Sequence, residues 1–190
     1  MVVGDATGKG VPAALVMSTT CGMLRAVSQA SDYSPGEVLE RVNGALHPNI
    51  PPNMFVTCFY AVLDPGSGRL SYANAGHDLP YVRRHGGSAE ELRVRGMPLG
   101  LMPGMSYDEE EIILEAGDSV LFYSDGLVEA HDPKGGMFGF PRLQRLVATR
   151  SAGSGEELVD FLLEELYSFT GDEWEQEDDI SLTALHRLVE

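Results

Sequence analysis

The chain has 190 residues, 43% apolar and 22% charged, which excludes a disordered protein and suffices for one domain with a proper buried core. Thirteen Lys and Arg against 29 Asp and Glu leave a net charge of −16, which opposes binding to nucleic acid or an anionic membrane and makes a hard cation a natural partner. No apolar run approaches the roughly 18 residues of a membrane span and no signal-like segment opens the chain, so a soluble, cytoplasmic protein is expected.

Met1-Val2-Val3-Gly4-Asp5 reads as a short strand delivering Asp5 into the glycine-rich turn Ala6-Thr7-Gly8-Lys9-Gly10, and its abrupt start predicts a piece of something longer. Pro12 then opens a helix expected from Ala13 to about Gln29, with Leu15, Val16, Met23, Leu24 and Val27 covering it on two sides. Ser34-Pro35-Gly36-Glu37 is a capping box, and Val38, Leu39, Val42 and Leu46 follow at helical spacing. Met54 to Leu63 reads as a central strand, apolar or small on both faces, with Arg69 to Asn74 as its hairpin partner.

Further strands are predicted near Pro80 to Arg84, Glu91 to Val94 and Tyr107 to Leu114. Ala116-Gly117-Asp118 then turns the chain into Ser119-Val-Leu-Phe-Tyr-Ser-Asp-Gly126, an apolar strand that ends in an acid and a glycine. Phe140 to Thr149 predicts a short helix, Ser154 with Glu157 caps a longer one, and Ile180 to Leu185 closes the chain as a strand. This order gives an α+β fold, a β-sandwich or large antiparallel sheet with helices packed outside. Cys21 and Cys58 fall in apolar segments and are expected as buried thiols in a reducing compartment, without zinc-ligand spacing.

Asp5, Asp125 and the pair Asp178-Asp179 each stand where an apolar strand meets a turn. Carboxylates with a backbone carbonyl and water are the ligand set of Mg²⁺ and Mn²⁺, so these acids predict a carboxylate-only divalent metal site. Each taken alone reads first as a turn aspartate, and the glycine beside Asp125 and the paired acid at Asp178-Asp179 favour the metal site. Lys9 lies in a glycine loop whose spacing departs from a phosphate-binding P-loop, although an anion-binding helix N-terminus fits it. His77 reads first as a loop histidine with a structural hydrogen bond and second as an acid or ligand. The acidic runs Asp108 to Glu111 and Asp172 to Glu175 read as solvated faces.

Gly4-Asp5-Ala6-Thr7-Gly8-Lys9-Gly10-Val11-Pro12-Ala13-Ala14-Leu15 resembles the second motif of the SpoIIE-like (RsbU-like) branch of the PPM, or 2C-type, metal-dependent serine/threonine phosphatases. Met54-Phe55-Val56-Thr57, Tyr72 to His77, Leu99-Gly100, Gly117-Asp118, Tyr123 to Ala130 and Asp178 to Leu182 follow in that branch's order. The resemblance implies a two-sheet sandwich flanked by helices, with a binuclear Mn²⁺ or Mg²⁺ centre between the sheets. Asp5 would bridge both ions, the Ala6 carbonyl would bind one, and Asp125 and Asp178 would bind the other. Gly126 belongs to the same motif as Asp125, and Asp179 would support the ligands from behind.

A metal-activated water would attack the phosphorus of a phosphoserine or phosphothreonine in line. The substrate implied is a phosphorylated, STAS-type anti-sigma-factor antagonist, with an upstream sensor domain acting through the two helices that follow Asp5. The branch's opening Gly-Gly-Asp-type motif precedes the residues present here, so N-terminal strands and one acid are expected to be missing, which predicts a weakened second metal site and a possible homodimer through exposed edges. Thr7 stands where eukaryotic-type members carry a histidine general acid. The alternative is a catalytically impaired interaction module in sigma-factor partner switching. An ATP-binding anti-sigma kinase, hinted at by Asp5, Gly8 and Gly10, lacks an Asn-bearing helix before them.

Overall fold

The computed structural model describes residues 1–149, 153–171 and 178–188. In chain order the elements are β1 (Val2–Ala6), α1 (Val11–Ala30), α2 (Pro35–Leu46), β2 (Val56–Leu63), β3 (Arg69–Ala75), β4 (Tyr81–Arg83), β5 (Ala89–Glu91) and β6 (Glu109–Ile113). They continue with β7 (Ser119–Tyr123), α3 (Asp125–Val128), α4 (Phe140–Thr149), α5 (Gly155–Thr170) and β8 (Leu182–His186). The strands form two four-stranded antiparallel sheets, ordered β1-β2-β3-β6 and β5-β4-β7-β8. The α+β class expected from the sequence holds.

The chain divides into two compact units, Met1–His77 with Arg93–Ile113, and Asp78–Leu92 with Leu114–Glu190. In the first, β2 lies between β1 and β3, with Asp5 opposite Thr57 and Cys58 opposite Ala75. Val56, Cys58, Ala73 and Ala75 join Val38, Leu39, Val42 and Leu46 of α2 in one apolar core. Helix α2 starts where the sequence predicts, with the Glu37 carboxylate accepting the Ser34 amide at 2.9 Å.

In the second unit β7 is buried along its whole length between β4 and β8, with Leu121 opposite both Tyr81 and Ala184. Its neighbours in the core are Leu143 and Val147 of α4 and Leu158, Leu162 and Leu166 of α5. The Ser154 hydroxyl accepts the Glu157 amide at 3.1 Å while the Glu157 carboxylate accepts the Ser154 amide at 3.2 Å, which fixes the start of α5.

Four expectations change. Helix α1 is not covered on two sides: only Val16, Thr20 and Leu24 are buried, flanked by half-buried Ala13, Met17, Met23 and Val27 on one face, and Val11 and Leu15 are 72% and 63% exposed. Cys21, one position after Thr20, is exposed, whereas Cys58 is buried and its thiol is pushed up to about 12, first by burial. Helix α1 is also long and apolar enough, by length and composition alone, to cross a membrane, because Arg25 is its one charged residue.

The strand predicted at Glu91 to Val94 lies earlier, as β5, since its ladder with β4 runs from Ala89 to Glu91; Leu92 and Val94 are buried outside it. The predicted turn after β6 leads into β7 without pairing the two strands. The turn between them is clasped by Asp118, which accepts from the Glu115 and His85 amides at 2.9 and 2.8 Å and from Arg84 at 2.8 Å. That clasp directs β7 to β4, while β6 pairs with β3. The acidic run Asp108 to Glu111 is exposed as expected; Asp172 to Glu175 lie outside the described residues.

Candidate metal centre

In the first unit, Asp5 is carried on edge strand β1, held in register by the Gly4, Asp5 and Ala6 pairings with Cys58, Thr57 and Val56. Gly4 is required there, because a Cβ would lie 2.5 Å from the Thr57 carbonyl oxygen. Beyond β1 the pairing is prolonged by Thr7. Its amide donates to the Phe55 carbonyl at 3.0 Å, its hydroxyl donates to the same oxygen at 3.1 Å, and that hydroxyl accepts the Phe55 amide at 3.0 Å. The Thr7 side chain is thereby committed to backbone. Gly8 and Gly10 turn the chain at φ 91° and 75°, and exposed Lys9 lies between them ahead of α1.

His77 is 7% exposed and tightly held. Its amide donates to the Asn74 side-chain oxygen at 2.8 Å, the Asn74 amide group donates to the His77 carbonyl at 2.9 Å, and the ring Nδ1 meets the Thr57 hydroxyl at 2.9 Å. Thr57 is also the register partner of Asp5, whose carbonyl lies 3.4 Å from that hydroxyl. The structural reading of His77 accounts for these bonds, and Thr57 links it to the backbone of Asp5.

In the second unit the end of β7 gathers three segments. Asp125 opens α3 directly after the strand and is half-buried. The Ser124 hydroxyl donates to the Asp179 carbonyl at 3.1 Å and accepts the Ser181 amide at 2.9 Å, while the Ser124 amide donates to the Ser181 carbonyl at 3.0 Å. Gly126 packs on the same segment: a Cβ there would lie 2.6 Å from the Asp179 carbonyl oxygen. Asp178 accepts the Asp179 amide at 2.9 Å, and both acids are exposed. Asp125, Gly126, Asp178 and Asp179, separated by more than fifty residues, are thus joined by Ser124 and Gly126.

The third segment is one that sequence reasoning missed. The Tyr123 hydroxyl donates to the Leu79 carbonyl at 3.1 Å, which holds Asp78 near the end of β7. Burial first, then the charges of Asp125 and Glu129, push the Asp78 carboxyl up to about 6. Its Oδ2 is buried with no hydrogen-bond partner among the described residues. The available signal was an acid directly after His77 in a loop closed by Pro80, and Glu129 stood within a motif already noted. Among the described residues no three acid, imidazole or thiolate groups close into a finished metal cage. The donors at the end of β7 nevertheless fit a hard divalent cation: they are carboxylates, and one of them has a buried oxygen without a hydrogen-bond partner among the described residues.

Comparison with known proteins places this geometry. The family model for Stage II sporulation protein E (SpoIIE) matches residues 1–188. The phosphoserine phosphatase RsbU of Bacillus subtilis (strain 168) is 29% identical over 190 residues, covering 100% of this chain and 56% of that protein. Protein IcfG of Synechocystis sp. is 28% identical over 215 residues, covering 98% of this chain and 33% of that protein. The chain therefore spans about half or less of these relatives' length.

Among solved structures, the SiaA-PP2C domain of Pseudomonas aeruginosa superposes with a TM-score of 0.83 at 20% identity, over 97% of this chain and 73% of that one. The RsbU and RsbW domains of Rv1364c from Mycobacterium tuberculosis give 0.78 at 32% identity, over 98% and 52%. The fold is that of the PP2C phosphatase domains, and with a family match along nearly its whole length the chain belongs to the SpoIIE family.

Proposed function

We propose that this chain is a metal-dependent phosphoprotein phosphatase domain that removes phosphate from phosphoserine or phosphothreonine on a regulatory protein. The observation that carries the reading is the end of β7, where Ser124 and Gly126 fasten the Asp178-Asp179 segment beside Asp125 in a chain of this family. Asp125 and Asp178 are the proposed cation ligands of the second unit, and Asp5 with the Ala6 carbonyl those of the first. Asp179 contributes through its backbone, holding the Ser124 hydroxyl and so the loop that presents Asp178. Thr57 and His77 support the strand that carries Asp5.

Bound Mn²⁺ or Mg²⁺ would supply an activated water and charge stabilisation for in-line attack on phosphorus. A net charge of −16 suits this division of labour, because cations must offset acids that otherwise repel a phosphate dianion. The proposed substrate is a phosphorylated anti-sigma-factor antagonist of the STAS type in the cytoplasm, and the proposed setting is a longer protein with a sensor domain. The kinship with a phosphoserine phosphatase supports the chemistry.

Phosphoserine, phosphothreonine and phosphotyrosine peptides, each assayed with Mn²⁺ and with chelator, test the reading. Release from the first two that stops with chelator is expected. Release that survives the chelator, or confined to phosphotyrosine, contradicts it.

A further inference from the structure

Aspartates that shape the turns of this chain are met by hydrogen-bond donors, whether buried like Asp118 or exposed like Asp64, and Asp78 departs from that. Asp118 accepts two amides and pairs with Arg84, Asp132 accepts the Lys134 and Gly136 amides, and Asp64 accepts the Gly66 amide and the Ser67 hydroxyl. Asp78 is half-buried, yet its Oδ2 is buried without a hydrogen-bond partner among the described residues, and its charged neighbours are the acids Asp125 and Glu129. An unpaired buried acid facing like charges opposes folding.

The chain does not relieve it by moving the loop, because the segment is pinned at Leu79 and at the two residues that follow it. Tyr123 donates to the Leu79 carbonyl at 3.1 Å, and the Leu92 amide donates to the Pro80 carbonyl at 2.9 Å. Tyr81, the next residue, is 1% exposed and stacks on Tyr123 with ring centroids 6.0 Å apart. Asp78 is therefore held near the end of β7, two residues after which Asp125 follows, with an oxygen that lacks a donor among the described residues.

We propose that Asp78 is an affinity-setting ligand for the divalent cation bound beside Asp125, its buried Oδ2 reserved for that ion or for a water of its hydration shell. The inference rests on the metal-dependent reading above and adds a residue that reading does not use. The buried oxygen is a stability defect in the metal-free protein and a binding contribution in the loaded one.

Mn²⁺ titration by calorimetry, combined with thermal melts with and without Mn²⁺, tests it on the wild type, Asp78→Asn and Asp78→Ala. Asp78→Asn is expected to melt at a higher temperature than the wild type without metal, to gain less on adding Mn²⁺, and to bind Mn²⁺ roughly tenfold more weakly. Asp78→Ala is expected to lose affinity likewise, whatever its effect on the metal-free melt. Unchanged Mn²⁺ affinity in both variants, with wild-type binding intact, overturns the role of Asp78 alone. Absence of Mn²⁺ binding by the wild type overturns both this role and the metal-dependent reading.

Discussion

Asp118 shows what a carboxylate committed to structure looks like. Burial raises its carboxyl, but the Arg84 guanidinium and the Glu115 and His85 amides outweigh that and hold it below the usual range. A carboxylate depressed in the fold adds stability that is present above its unfolded pKa of about 4 and is lost as pH falls through the folded value. Asp118→Asn is expected to cost about 2 kcal/mol at neutral pH, the worth of its charged hydrogen bonds, with the gap to wild type narrowing below about pH 4. Denaturant melts across pH check this; a gap that widens in acid contradicts it. Asp125 and Asp178 stood out in the sequence because each lies where an apolar strand meets a turn, Asp125 after one strand and Asp178 before another. Asp78 did not, since nothing local shows that its oxygen is buried and unbonded among the described residues or that the charges of Asp125 and Glu129 act on it.

At the scale of elements, the end of β7 depends on a glycine that no side chain can replace without movement. Gly126→Ala would drive a methyl against the Asp179 carbonyl, at 2.6 Å from the ideal position, and push the Asp178-Asp179 segment away from Ser124. Overpacking of this kind typically costs about 1–3 kcal/mol. The expected outcome is a lower melting temperature together with weaker Mn²⁺ binding, measured on the same samples; a lower melting temperature with unaltered binding would detach Gly126 from the site.

Helices α2, α4 and α5 were readable from caps and spacing because those signals are local: Ser34-Glu37, Phe140 to Thr149 and Ser154-Glu157 lie where the structure has them. The pairing of β6 with β3 rather than β7 was not, because a clasp formed by Arg84 and His85, some thirty residues before Asp118, redirects the chain. The four-residue α3 escaped notice because it is shorter than any periodic signal, although it is the element that Asp125 opens. The exposure of Cys21 and Leu15 likewise depends on which face of α1 meets the core.

At the scale of the whole molecule, seven short motifs in order made the family legible, and the match over residues 1–188 agrees with it. The central claim is that a divalent cation held by strand-end carboxylates drives phosphate release. Its most direct test is phosphate release from a phosphoserine peptide as a function of Mn²⁺ concentration, for the wild type and Asp125→Asn. The account predicts turnover that saturates with Mn²⁺ in the wild type and falls by on the order of a hundredfold in the variant, with the fold retained by circular dichroism. Turnover that is indifferent to Mn²⁺ or to Asp125→Asn would contradict it, as would a wild type that binds Mn²⁺ and releases no phosphate.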